Sequence, residues 1–411
     1  MSTAVPKRYV ERAETSRPAT DPGALSFFLI AGAALMLLIL GTVIVLSATT
    51  ITSIRQNDGN PFTSFFSQAR FVLIGLPLMV AAASIPVEWY KRLAPLALVG
   101  AMGLQMLIFT PLAVGAGGNV NWIAIPGTGQ MIQPSEFLKI GLALALGWYL
   151  GTNIERMREW RVVLPALGVA FLAVGLVMYG HDMGTSVVLV LIIVSAMWVA
   201  GVPATWFVGL GVAGMGAVAM LVAVSQSRIT RILHFLGIGE QDPTGAGYQS
   251  MHGLWGLGSG GLFGVGLGAS HEKWSYLPAA HNDFIFAILG EELGLVGTLL
   301  VLVLFGVLAA GLLRLMRRHP DPFVKITTAG VTAWLVGQAL INIAVVVGVL
   351  PVFGVPLPFV SAGGSAMIAT LIALGMMLAF ARSEPGARAA LSSRTRAVRQ
   401  SLAVIGMRRS R

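Results

Sequence analysis

The sequence predicts an all-α polytopic membrane protein, and three observations carry that prediction. Hydrophobic residues make up 56% of the 411 residues and charged residues only 11%, a balance that cannot cover soluble domains with polar surface. The apolar residues form unbroken runs of Leu, Val, Ile, Ala and Gly, each long enough to cross a bilayer as a helix of roughly 20 residues. The ten-residue alternation of an outer-membrane barrel is missing from them. The basic residues, finally, alternate from side to side of those runs very unevenly. With no cysteine in the chain, disulfides, thiolate metal sites and a cysteine nucleophile are excluded.

Taken in order, hydropathy places about ten transmembrane helices, near residues 26–47, 70–87, 94–114, 136–151, 163–180, 185–201, 204–225, 284–313, 327–350 and 364–381. Residues 1–25 form a polar tail with Lys7, Arg8, Arg12 and Arg17. It lacks the small-residue cleavage site of a removable signal. Residues 26–381 make the membrane domain, and 382–411 a basic C-terminal tail. Ten crossings put both tails on one side, and that side collects 21 of the 27 Lys and Arg residues. The exceptions are Arg55, Arg70, Lys139, Arg228, Arg231 and Lys273, so the positive-inside rule predicts cytoplasmic termini. The net charge of +10 is therefore read as a topology signal resting on anionic headgroups. It is not a nucleic-acid surface, because the tail arginines lack interleaved aromatics. A long external loop, 226–283, separates spans 7 and 8. Loops of this length usually carry function, and Ile229 to Leu236 within it reads as a short interfacial helix.

Ionisable groups at membrane depth are expensive, about 2.5–3.5 kcal/mol each on insertion scales, so each needs a reason. Glu136 and Lys139 follow Pro134, which suits a first helical position. They are i, i+3 neighbours, a self-neutralising pair, a charged cavity wall, or both together. Asp283 stands where a polar loop enters an apolar helix, which suits an N-cap and equally a general base at the membrane edge, without a strongly raised pKa. Glu291 and Glu292, two turns deeper, read as a buried polar network or a proton path. The glycine-rich run from Gly253 to Gly268 is not a phosphate loop of the Walker type; it suits close helix packing. Lys273 is a solitary external cation suited to a phosphate. Three prolines and paired glycines between Leu350 and Ser365 preclude a continuous helix, predicting a re-entrant wall over a protein-covered or wet cavity.

These blocks together resemble the SEDS family of bacterial cell-wall proteins, whose familiar branches are FtsW and RodA. The resemblance covers the membrane core: Gln133-Pro134-Ser135-Glu136, Asp182-Met183-Gly184-Thr185, Gly247-Tyr248-Gln249, Gly266 to Ser270 with Lys273, His281 to Ala287 with Glu291-Glu292, and Leu357-Pro358-Phe359 with Ser361 and Gly363-Gly364-Ser365. Asn282, the stretch Gly337 to Asn342 and Ser361 to Gly364 look closer to the FtsW branch. Departures are Asn121 before Trp122 where an Arg is common, Ala279 for an acid, and Ala362 for a Tyr.

The resemblance implies a peptidoglycan glycosyltransferase that polymerises lipid II during cell division, with Asp283 as catalytic acid–base residue. It also implies that Glu136, Lys139, Asp182, Ser361 and Gly363 belong to the substrate cavity, joined by Lys273. The expected setting is the bacterial plasma membrane at the septum, with the active site facing outward. The expected partners are a class B penicillin-binding transpeptidase and other division proteins, and no nucleic acid. A divalent cation, magnesium or manganese, is the candidate helper for the leaving diphosphate, and no organic cofactor is expected. The rival readings are a lipid II flippase and a non-catalytic division scaffold.

Overall fold

The structure, a computed structural model, describes residues 22–56, 59–116, 119–127, 129–224, 246–274, 277 and 281–392. A helix is found at each of the ten positions where hydropathy places a span: α1 (Pro22–Gln56), α2 (Thr63–Ser84), α3 (Val87–Met106), α4 (Pro134–Thr152), α5 (Trp160–Tyr179), α6 (Met183–Ala200) and α7 (Ala204–Val224) in the first part of the chain. After α8 (Ala246–Ser259) come α9 (Ile285–Arg318), then α10 (Pro322–Thr332) and α11 (Gln338–Val346) joined by a π-helical turn, Ala333–Gly337, and last α12 (Gly364–Arg382). Eight helices among the described residues are long and apolar enough to cross a membrane. Helix α4 is not one of the eight. Its first turns carry Ser135, Glu136 and Lys139, and most of its residues are buried by α3, α6 and α10, which places it in the middle of the bundle. The interfacial helix expected over Ile229 to Leu236 lies outside the described residues, as do most of both tails.

The all-α expectation needs one addition. The predicted third span, 94–114, ends early. Helix α3 stops at Met106, a 3₁₀ turn follows (Leu107–Phe109), and the chain then forms a three-stranded antiparallel sheet, β1 (Ala113–Ala116), β2 (Asn119–Ile125) and β3 (Gln130–Ile132), in sequence order. Glycines at 127 and 129 with positive φ turn the chain between β2 and β3. Pro134 then opens α4 at its first position.

Helix α9 is broken at Gly294, where φ is 67° and ψ −161°. The break frees backbone groups that the glycine-rich run takes up. Val265 and Gly266 N–H donate to the carbonyls of Glu291 and Glu292 at 2.9 and 3.2 Å, and Leu295 and Val296 N–H donate to Gly261 and Leu262 carbonyls at 2.9 and 3.2 Å. Irregular backbone inside a membrane protein survives only with such partners. The approach demands glycine: a Cβ on Gly260 or Gly264 would stand 2.0 or 2.1 Å from the carbonyl oxygens of Gly290 or Glu292. The close-packing reading of this run is the one its geometry supports.

Candidate active site

At one end of the bundle, between these elements, lies a cavity of about 900 Å³. Its walls come from α2 (Ser67 to Phe71), the sheet with Gln133, the start of α6 (His181 to Met183), the turn before α9 (His281 to Asp283), and the Pro/Gly-rich segment from Val352 to Gly364. That segment is irregular, as its prolines require, and it forms a cavity wall.

Asp283 and Asp182 supply the cavity's only carboxylates among the described residues, and their surroundings differ. Asp182 caps α6. Its Oδ1 accepts from Thr185 N–H at 2.9 Å, and its Oδ2 accepts from Thr185 Oγ1 at 2.8 Å, Asn121 Nδ2 at 2.9 Å and Gln133 Nε2 at 2.8 Å. Four donors satisfy this carboxylate, so it welds the sheet to α6. The departure at residue 121 thereby has a role, since Asn121 spends its amide on Asp182. His181, just before, holds a φ of 63°, a left-handed conformation that costs a non-glycine residue about 1–3 kcal/mol and clusters at functional sites.

Asp283 is not a cap. The residue preceding α9 is Phe284, with no side-chain capping bond, and among the described residues no donor reaches the Asp283 carboxylate. The backbone around it is held firmly instead. Three successive carbonyls accept hydrogen bonds: His281 from Ala362 N–H at 3.0 Å, Asn282 from Ser361 Oγ at 2.7 Å, and Asp283 from Asn342 Nδ2 at 2.7 Å. Asn342 also donates to the Val355 carbonyl at 2.7 Å, and Gln338, one turn earlier on α11, to that of Pro356 at 2.7 Å. The carboxylate thus stands on a rigid turn, half-buried and facing the cavity. Burial, and secondarily the negative charge of Asp182, push its pKa up to about 6, against the expectation of a nearly ordinary carboxylate. Burial also lowers the pKa of His281 beside it, favouring the neutral ring.

The other residues expected at the site separate from it. Glu136 and Lys139 are buried and are not among the cavity-lining residues. They form an ion pair at 2.8 Å, with Gln338 Oε1 at 3.2 Å and the Trp334 ring 4.7 Å from the ammonium. Of the two readings of this pair, self-neutralisation matches its placement. Lys273 is not solitary: it is buried, 3.1 Å from Glu292 and 3.2 Å from Ser47 Oγ. Glu291 accepts from Ser270 Oγ and from His271 and Glu272 N–H, so the two glutamates form a buried polar network. Ser361 lies behind the wall, accepting from Leu357 N–H at 2.7 Å while it holds Asn282. Asp182 and Gly363 do line the cavity. Sequence reading passed over Arg70 and His281, which line it too, and Asn342 as the residue that holds Asp283. The signal for Arg70 was available: it is an arginine on the side where the positive-inside rule expects none.

Among the described residues no group of three or more His, Asp or Glu side chains is placed to hold a metal, and Asp182 is already saturated by its four donors.

A family model described as a cell cycle protein family, FtsW/RodA/SpoVE, matches residues 27–385. The probable peptidoglycan glycosyltransferase FtsW of Mycobacterium tuberculosis is 37% identical over 92% of this chain and 73% of its own length. Stage V sporulation protein E of Bacillus subtilis is 35% identical over 85% of this chain and 94% of its own. Among solved structures, a peptidoglycan synthase complex studied for its coordination of polymerization and crosslinking contains a chain that superposes with a TM-score of 0.71 at 27% identity, covering 86% of this chain and 96% of that one. The rod shape determining protein RodA of Thermus thermophilus gives 0.64 at 26% identity over 87% and 97%. With a family model matching residues 27–385 and relatives 35–37% identical over most of its length, the chain belongs to the FtsW/RodA/SpoVE family of polytopic membrane proteins.

Proposed function

We propose that this chain is a peptidoglycan glycosyltransferase that polymerises lipid II during cell division. Asp283 takes the proton from the 4-hydroxyl of the N-acetylglucosamine of one lipid-linked disaccharide. That oxygen attacks the anomeric carbon of the N-acetylmuramic acid at the end of the growing strand, and polyprenyl diphosphate leaves with inversion. One observation carries the reading: a cavity-facing carboxylate without a hydrogen-bond donor among the described residues, on a turn whose three successive carbonyls are fixed. A base must be positioned before its pKa matters, and this one is. With its pKa pushed up to about 6 it is still mostly ionised at neutral pH and is a stronger proton acceptor than an ordinary carboxylate. A flippase needs no such base.

The cation for the diphosphate, magnesium or manganese, would take its ligands from phosphate oxygens and water. It would supply charge neutralisation. The setting that accords with the charge bias and the relatives is a bacterial plasma membrane at the septum, with cytoplasmic termini, an outward cavity, and a class B penicillin-binding transpeptidase as partner. The test is glycan synthesis by the purified chain with its partner, from lipid II supplied on the outer face. Asp283→Asn should lose about 10²- to 10⁴-fold of the rate, the usual contribution of a positioned base. An undiminished rate in that variant would end the assignment.

A further inference from the structure

Departure of a diphosphate calls for a cation, and Lys139 and Lys273, the lysines expected at the substrate cavity, are committed to buried carboxylates. Among the residues that line the cavity, Arg70 is the only lysine or arginine. Its Nε donates to the Ser67 carbonyl at 2.9 Å, and its guanidinium lies 5.4 Å from the centroid of the Phe71 ring. Phe71 in turn packs on Gly364, where a Cβ would come within 2.9 Å of the ring. Gly364 closes the same Pro/Gly-rich segment whose Ser361 and Ala362 hold the Asp283 turn. The chain of contact from glycine to ring to guanidinium therefore fixes the cation and the base to one wall. Among the described residues no carboxylate pairs with Arg70, and both terminal amino groups are uncommitted. Two parallel N–H donors in one plane match two oxygens of a phosphate, which a lysine ammonium cannot do.

We propose that Arg70 binds the diphosphate of the lipid-linked substrate. This rests on the glycosyltransferase reading and adds to it the anion contact that Lys273 was expected to make. Phosphate oxygens also occur on bulk lipid headgroups, and the experiment separates the two sources.

Full-length protein in phosphatidylcholine nanodiscs is titrated with polyprenyl diphosphate, and lipid II turnover is followed in parallel. Arg70→Gln should weaken diphosphate binding about tenfold to a hundredfold, the range for a lost hydrogen bond to a charged group, and raise KM for lipid II more than it lowers kcat. Arg70→Lys should recover part of the affinity. Phe71→Leu, which keeps the guanidinium and removes its platform, should fall between. Equal diphosphate binding by wild type and Arg70→Gln overturns the proposal. So does loss of the difference when phosphatidylglycerol replaces part of the phosphatidylcholine, because Arg70 would then be serving headgroups. Arg70-dependent diphosphate binding by a protein that makes no glycan would instead sink the glycosyltransferase reading and leave the anion site standing.

Discussion

Lowering the pH titrates the proposed base directly. An ordinary aspartate with a pKa of 3.8 would be about 94% ionised at pH 5, whereas Asp283, pushed up to about 6 by burial and by Asp182, would be only about 9% ionised there. The rate of glycan synthesis should therefore sit on a plateau above pH 7, reach half of it near pH 6, and fall about tenfold for each further unit. The diphosphate of lipid II is a diester, without the second ionisation near pH 6 of a phosphate monoester, so the substrate adds no limb there. The assay is initial rate at lipid II well below KM, where kcat/KM reports the free enzyme, between pH 4.5 and 8, with partner and detergent held constant, and with the residual activity of Asp283→Asn measured beside it. That residual activity should lack the acid limb. A wild-type rate at pH 5 within a factor of two of the plateau would refute the raised pKa of this carboxylate as the property that governs the rate.

The same shift has a stability sign. The folded chain keeps a proton on Asp283 at pH values where the unfolded chain has released it, so between about pH 4 and 6 stability falls as pH rises. Asp283→Asn should consequently melt above wild type at pH 7.5 and lose that advantage at pH 4. Asn342→Leu removes the donor to both Asp283 and Val355 carbonyls; kcat should fall about a hundredfold, as for a misplaced catalytic group, with KM changed little, and an unchanged kcat in folded protein would count against its positioning role. Gly264→Ala drives a Cβ into the Glu292 carbonyl at a φ of 80°, so thermal stability should drop by about 1–3 kcal/mol or more, while Gly258→Ala, with nothing within 4 Å, should be neutral or stabilising. Lys273→Met leaves Glu292 charged and buried, costing about 3–5 kcal/mol, and Lys273→Met with Glu292→Leu should recover most of it; failure of the double variant to recover would show that the pair does more than neutralise itself.

The helices were legible because an apolar run of membrane length has few other solutions, and Pro134 and the prolines at 351, 356 and 358 marked a helix start and a helix gap by steric rules that hold anywhere. The sheet was not. Its strands are only 4, 7 and 3 residues long, and the first follows an apolar helix end closely enough for a sliding window to absorb it. The break in α9 was hidden for a different reason. A single glycine within a long apolar run carries no signal of a kink, and the groups that compensate the break come from glycines some thirty residues earlier. At the site, Asp283 was visible as a carboxylate at a loop-to-helix boundary, but local sequence could not show that Phe284 would take the capping position. For Lys139 and Lys273, position near the outer boundary was legible and partners were not: Glu292 lies 19 residues from Lys273, and Gln338 lies 199 residues from Lys139.

Those partners give a physical criterion for telling structure from function among membrane-depth polar groups. A charge held there without compensation is destabilising, so folding alone would favour pairing or saturating every one. Glu136 with Lys139 and Lys273 with Glu292 are paired, Glu291 has three donors, and Asp182 has four. Asp283 and Arg70 are the exceptions among the described charged residues around the cavity. One is a carboxylate without a donor and the other a guanidinium without an acid, yet both are tied to the same Pro/Gly-rich segment rather than to each other. Keeping them apart leaves an acceptor for a proton and a donor set for a phosphate on a common wall, the combination that the proposed inverting transfer from a lipid diphosphate would use.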